Sequence, residues 1–204
     1  MIERVVRTLV QGGVDDIMVL LNGRWAQPLM EILENGARFG CEISYKYIQG
    51  SVGAGQELLS VENWVGKEDF VVMLADSLFL SPLNFKDKAG PHIWTMPLNG
   101  QDDPTKYGQV AVRGRKVVDL WEKPTEQKSN IIQTAVWLFP PEIFEAIRQL
   151  QAKSGEEIGI GQLSEHCFRL GWPFDYTELP PRSYLDLGTP DALQLAASWA
   201  AARA

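Results

Sequence analysis

Residues 69–76, DFVVMLAD, set six apolar side chains between two aspartates. An apolar run of strand length without polar alternation reads as a strand buried on both faces, the kind that parallel sheets carry beneath covering helices. Just before it, ELLSVENW (57–64) has a helical pattern and follows the glycine-rich stretch GSVGAGQ (50–56). Earlier still, CEISYKYIQ (41–49) alternates as a strand does. The segment from Trp25 to about Phe39 carries Leu29, Ile32 and Leu33 on one side of a helix. DDIMVLL (15–21) is a second doubly buried run, closed by the turn residues Asn22 and Gly23. Ile2, Val5, Val6, Leu9 and Val10 recur at helical spacing until Gly12 and Gly13 stop them. Helices alternating with strands predict an α/β fold with a Rossmann-like wound, mostly parallel sheet and helices on both faces.

From Pro91 the texture becomes β-rich. HIWTMPL (92–98), YGQVAV (107–112), KVVDLWE (116–122) and NIIQTAVWLF (130–139) are strand-like, and Arg113-Gly114-Arg115 makes a hairpin of the middle pair. PEIFEAIRQL (141–150) and IGQLSEHCFRL (160–170) are helical, and PFDYTEL (173–179) is a strand. YLDLG (184–188) then leads into a terminal helix, with Thr189 and Pro190 as cap and first turn and the strong helix former LQLAASWAAARA (193–204) after them. No repeat and no low-complexity linker interrupts the 204 residues, so residues 1–204 are expected to form a single domain.

Nineteen Lys and Arg stand against 26 Asp and Glu, a formal charge of −7. That balance gives no electrostatic reason to approach nucleic acid or an anionic membrane, and a phosphorylated ligand needs local help. Cys41 and Cys167 are isolated, which fits a reducing compartment. MIERVVRTLV carries charges inside its apolar run, which does not suit a signal peptide or a membrane span. A cytoplasmic location is the expectation.

In open α/β sheets the ligand crevice lies beyond the carboxyl ends of the strands. Asp76 ends a buried run there, where it reads either as a Mg²⁺ ligand or as a turn aspartate. Asp186 in YLDLGTP is placed similarly, and two such residues can share one metal only if the fold brings them together. QGSVGAGQE can lay backbone N–H groups on a ligand or serve as a structural loop; it lacks the Lys-Ser/Thr ending of a P-loop. Lys123, before Pro124, can pair with a phosphate or stay solvated. His92 and His166 have no ligand-spaced partner and read as satisfied histidines, and no GxSxG elbow is present.

Taken in order, GVDDIMVLLNG, FGCEISYKYIQGSVGAGQELL, DFVVMLADSLF, YGQVAV, KVVDLWEKP, SNIIQTAVWLFPPEIFEAI and YLDLGTPDAL resemble the sugar-1-phosphate nucleotidyltransferases over nearly the whole chain. The resemblance implies that Asp76 and Asp186 hold Mg²⁺, that Lys123 contacts the sugar phosphate and that Glu122 reaches sugar hydroxyls. It implies that Gln49 and Gly53 meet the nucleotide base. It also implies that Tyr107, Gly108 and the strand from Asn130 to Thr134 line a sugar pocket in the β-rich half. Ala75 stands where many relatives have Gly. The implied substrates are a nucleoside triphosphate and a sugar 1-phosphate. A phosphate oxygen of the sugar attacks the α-phosphorus in line and pyrophosphate leaves, without a covalent enzyme intermediate.

Members of that family open with a strand, a glycine-rich loop closed by Thr-Arg and a Pro-Lys-Pro segment, whereas this sequence begins at the helix that follows them. The resemblance therefore implies a shortened catalytic apparatus without the loop that grips the triphosphate. Three readings are open: the family's enzyme with a misassigned start, so that the activity belongs to a longer protein, a non-catalytic sugar-phosphate or nucleotide-binding module, and a GT-A-type glycosyltransferase, although ADS (75–77) lacks the second carboxylate of Asp-x-Asp. The opening strand would lie between DDIMVLL and DFVVMLA. Unpaired backbone on buried strands is costly, so the two runs must pair directly or recruit a strand from another copy in a homo-oligomer. Direct pairing is the expectation.

Overall fold

A computed structural model gives the structure of the chain, describing all residues except 51–52, 99–102, 155–156, 189–191, 195 and 197–204. The cap pair Thr189 and Pro190, and most of the alanine-rich tail, lie outside the described residues. Helix α1 (Ile2–Gln11) buries Val5, Val6 and Leu9, and β1 (Asp16–Leu21), α2 (Ala26–Leu33) and β2 (Glu42–Tyr47) follow. The stretch read as one helix before residue 69 is a chain of short turns: α3 (Ala54–Glu57), a 3₁₀ turn (Leu58–Val61) and α4 (Glu62–Val65). After it come β3 (Phe70–Met73), β4 (Ser77–Phe79) and β5 (His92–Pro97). The hairpin β6 (Gln109–Arg113) and β7 (Lys116–Trp121) precedes β8 (Ile131–Phe139). Helices α5 (Ile143–Ser154) and α6 (Ile160–Arg169) and strands β9 (Asp175–Glu178) and β10 (Tyr184–Asp186) complete the order.

Six strands form one sheet in the order β3-β8-β5-β9-β7-β6, and β4 pairs with β10 in a separate antiparallel ladder. Parallel pairing occurs at β1–β2 and β5–β9. The other ladders are antiparallel because the β-rich half folds back through β8. That strand is the spine of the core. It is buried from Ile132 to Phe139, with α5 packed nearby through Ile143, Phe144 and Ile147 and with Phe70 stacked on Phe144 at 5.5 Å. The α/β class with a β-rich second half is therefore as the sequence implied.

Direct pairing of the two apolar runs is not what the structure shows. Among the described residues β1 pairs with β2 alone and β3 with β8 alone, so each presents one open edge. A cavity of about 720 Å³ lies against both strands, lined also by Val5 and Leu9 of α1 and by Leu58. Their expected burial on both faces is corrected for the same reason. Ile17 and Leu21 are buried, but Met18, Val19, Leu20 and all of Phe70–Met73 are only half-buried. A shared apolar wall is insufficient to join two strands whose neighbours hold them apart. On α2 the buried face is narrower than read: Leu33 is enclosed, whereas Ile32 is exposed.

Candidate active site

The short β4–β10 ladder positions the two aspartates. Register places Asp186 opposite Ser77, the residue after Asp76, and the Leu187 N–H donates to the Asp76 carbonyl at 2.8 Å. Gly188 marks where the carboxylates converge. A Cβ built there would lie 3.1 Å from Asp186 Oδ1 and 3.5 Å from Asp76 Oδ2. Both residues are exposed at the rim, yet burial of the Asp76 carboxyl, and next the charge of Asp186, raise its pKa above the usual carboxylate value. Neighbouring like charges that resist ionisation are what a cation relieves.

The donor set suits a hard divalent ion. Such ions take oxygen ligands, and Mg²⁺ commonly uses one or two carboxylates and completes its shell with water and phosphate oxygens. No group of three or more His, Cys, Asp or Glu side chains gathers at metal-binding spacing among the described residues, so the pair would need a phosphate partner. Behind it, burial and then the Asp186 charge push Tyr184 far above its ordinary ionisation, and the phenol also senses Asp76 and Tyr107.

A second cluster gathers around Glu122, the residue after β7. The ladder pairs Gln109 with both Trp121 and Ile132, which brings Gly108, Glu122 and Gln133 together. Glu122 accepts from Gln133 Nε2 at 3.3 Å through Oε2, while its backbone N–H donates to Glu165 Oε2 at 3.0 Å. Arg169 fixes that part of α6 by donating to Asp119 Oδ1 at 2.7 Å, the Leu120 carbonyl at 2.8 Å and Glu165 Oε1 at 3.4 Å. Burial raises the Glu122 pKa, with Lys123 and Gln133 opposing the rise and Glu165 adding to it. Lys123 is exposed and adopts φ 44°, a left-handed conformation that costs a non-glycine residue about 1–2 kcal/mol.

The remaining expected site residues divide. Tyr107 is half-buried and Gly108 is buried beside Gln133. Gln49 is exposed just beyond β2. Gly53 has φ 90°, and a Cβ there would lie 2.5 Å from the Ile158 carbonyl oxygen, so close backbone packing accounts for this glycine. Gly55 likewise donates its N–H to Ile158 at 2.8 Å. Asn130 is exposed, and its carbonyl accepts from Leu98 at 2.7 Å. Thr134 is a correction: it is 1% exposed and its hydroxyl donates to the Trp94 carbonyl at 2.9 Å, so its side chain belongs to the β8–β5 interior. The residue of β8 that reaches Glu122 is Gln133, which lies inside the stretch from Asn130 to Thr134 but is not singled out by the sequence. Its signal was an amide inside the apolar run NIIQTAVWLF, since buried polar groups require partners. His92 is a satisfied core histidine, its Nε2 2.9 Å from Thr177 Oγ1.

The family model for nucleotidyl transferases matches residues 1–202. The chain belongs to the nucleotidyl transferase family. It is 26% identical over 195 residues to the low-salt glycan biosynthesis nucleotidyltransferase Agl11 of Haloferax volcanii, covering 93% of this chain and 54% of that protein. It is 26% identical over 172 residues to a glucose-1-phosphate thymidylyltransferase of Streptomyces antibioticus, covering 81% of this chain and 48% of that one. The chain therefore spans about half the length of these two curated relatives. A crystal structure assigned to a glucose-1-phosphate thymidylyltransferase of Bacillus anthracis, in complex with a sucrose, superposes with a TM-score of 0.86 at 26% identity. That match covers 98% of this nucleotidyl transferase chain and 81% of the other. Among the described residues no helix is long and apolar enough to cross a membrane.

Proposed function

We propose that this chain transfers a nucleotidyl group from a nucleoside triphosphate to a hexose 1-phosphate, glucose 1-phosphate first among them, with release of pyrophosphate. The observation that carries the reading is the convergence of Asp76 and Asp186 on one point beside Gly188. The names of the relatives supply the sugar, and thymidine and uridine triphosphates are the nucleotides to test.

Asp76 and Asp186 would hold Mg²⁺, which when bound neutralises charge on the reacting phosphates. The protein's own part is positioning. Lys123 offers the sugar phosphate a cation, and Glu122, anchored through its backbone to Glu165, offers a carboxylate oxygen to sugar hydroxyls. Tyr107 and Gly108 would line the sugar pocket, and Gln49 and Gly53 would meet the base. Holding the phosphate oxygen in line with the α-phosphorus lowers the barrier by orientation, and preorganised charge does the rest. Cytoplasmic chemistry on soluble substrates is part of the same reading.

A second reading has an observation of its own. The cavity lined by β1 and β3 extends to Leu74 and Ala75, immediately before Asp76, so an unfilled space lies next to the segment that carries one of the two aspartates. Such a chain would bind glucose 1-phosphate without turning it over. Pyrophosphate release with Mg²⁺, thymidine or uridine triphosphate and glucose 1-phosphate, run beside calorimetric titration of the sugar phosphate, separates the two. Release supports the enzyme, binding alone supports the module, and neither binding nor release refutes both.

A further inference from the structure

We infer that Gln133 is a positioning residue for Glu122, holding one carboxylate oxygen so that the other is presented to a sugar hydroxyl, and that Trp137 fixes the direction in which the Gln133 amide points. The inference rests on the proposed sugar contact of Glu122, and deepens it.

An amide can be built either way round, but here its sense is determined. The indole Nε1–H is a donor only. It donates to Gln133 Oε1 at 3.1 Å, so the other end of the amide, Nε2, must face Glu122 Oε2 at 3.3 Å. Gln133 is itself 5% exposed and its backbone N–H donates to the Gly108 carbonyl at 2.9 Å, which leaves the side chain little freedom. Two glycines complete the cradle. A Cβ on Gly108 would run into Gln133 Nε2, and a Cβ on Gly161 would run into the Glu122 carboxylate. Oε2 is thus occupied, while among the described residues nothing donates to Oε1. The chain Trp137–Gln133–Glu122 transmits orientation from the core of β8 to the Glu122 carboxylate.

The groups facing Glu122 are Lys123 beside it, Gln133 from β8 and Glu165 from α6. Removing the amide donor takes away a hydrogen bond that is stronger to the ionised form, so the carboxyl should titrate at higher pH. The test is carbon-detected NMR titration of the Glu122 side chain in the full chain, comparing wild type, Gln133→Leu and Trp137→Phe. The expected result is an upward shift of the midpoint in Gln133→Leu and a smaller shift in the same direction in Trp137→Phe, because the freed amide spends part of its time reversed. Gln133 acting as packing alone predicts an unmoved midpoint in the near-isosteric Gln133→Leu, and that result overturns the inference. Should Gln133→Leu fold poorly, Trp137→Phe carries the same decision.

A second readout uses α-D-glucose 1-phosphate as the titrant. Binding should weaken about tenfold in Gln133→Leu, in the range expected for losing a hydrogen bond to a charged group. Glu122→Gln is the control. If it leaves binding intact, the sugar contact of Glu122 is refuted and the positioning role with it, while the aspartate pair that carries the proposed function is untouched; a loss in Glu122→Gln without one in Gln133→Leu refutes only the positioning role.

Discussion

Asp186 stands directly opposite Ser77 in the β4–β10 ladder, so the carboxylate of Asp76, one residue earlier, meets that of Asp186 beside Gly188. A three-residue ladder thereby brings together two acids that are far apart along the chain. The geometry has a cost, since burial and the Asp186 charge raise the Asp76 pKa. A carboxyl raised in the folded state contributes stability below its unfolded value and loses it as pH rises through the folded value. At neutral pH the pair is therefore under tension that a divalent ion would relieve.

Saturating Mg²⁺ is expected to raise the Tm at pH 7 by about 2–4 °C, the response of a chain this size to about 1 kcal/mol of ligand stabilisation. Asp76→Asn should abolish the rise and be at least as stable as wild type without metal. Gly188→Ala, whose methyl would crowd Asp186 Oδ1 and lie against Asp76 Oδ2, should diminish it. Differential scanning calorimetry decides the matter, and an undiminished Mg²⁺ response in Asp76→Asn would count against the shared site.

Lys123 holds a left-handed backbone although glycine would do so without strain. If the side chain is kept for phosphate, Lys123→Gly should stabilise the fold by about 1 kcal/mol while weakening glucose 1-phosphate binding. Urea denaturation and calorimetric titration measure the two effects separately. Stabilisation with unchanged binding would remove Lys123 from the site.

Much of this was legible beforehand, for reasons that also explain what was not. The apolar runs 16–21 and 70–73 announced strands because side-chain burial leaves a local pattern, and Gly114 announced the hairpin because a φ of 61° favours glycine. Partner choice leaves no such mark. Nothing local in DDIMVLL says that β2 alone would pair with β1, and three residues at Ser77–Phe79 are too few to show periodicity. Thr134 was misplaced because alternation gives two faces without saying which one meets ligand. Gln133, on the opposite face of the same strand, is the one that does the reaching.

The edges of β1 and β3 that have no strand partner among the described residues predict measurable stickiness. Apolar side chains beside unused strand hydrogen bonds invite pairing with other chains. The described chain should bind the dye ANS and associate reversibly as its concentration rises. Val19→Lys, a charge on the half-buried wall of β1, should lower both signals at a modest cost in stability. Sedimentation velocity and dye fluorescence provide the measurements, and a wild-type chain that stays monomeric and dark to the dye would show that the cavity closes in solution.

His92 sets an acid limit on the fold. Burial, with a further push from Lys88, lowers its pKa to about 4, while Asp175 pulls weakly the other way. A histidine depressed in the folded state binds its proton more readily when unfolded. The stability it contributes is therefore complete above the unfolded value near 6.5 and is lost as pH falls toward the folded value. After allowance for solvent screening, the loss between pH 7 and pH 4.5 should be about 2 kcal/mol. His92→Gln, which can still meet Thr177 but carries no titratable ring, should flatten that slope. Urea midpoints at the two pH values test it, and an equally steep decline in His92→Gln would move the acid sensitivity to another group.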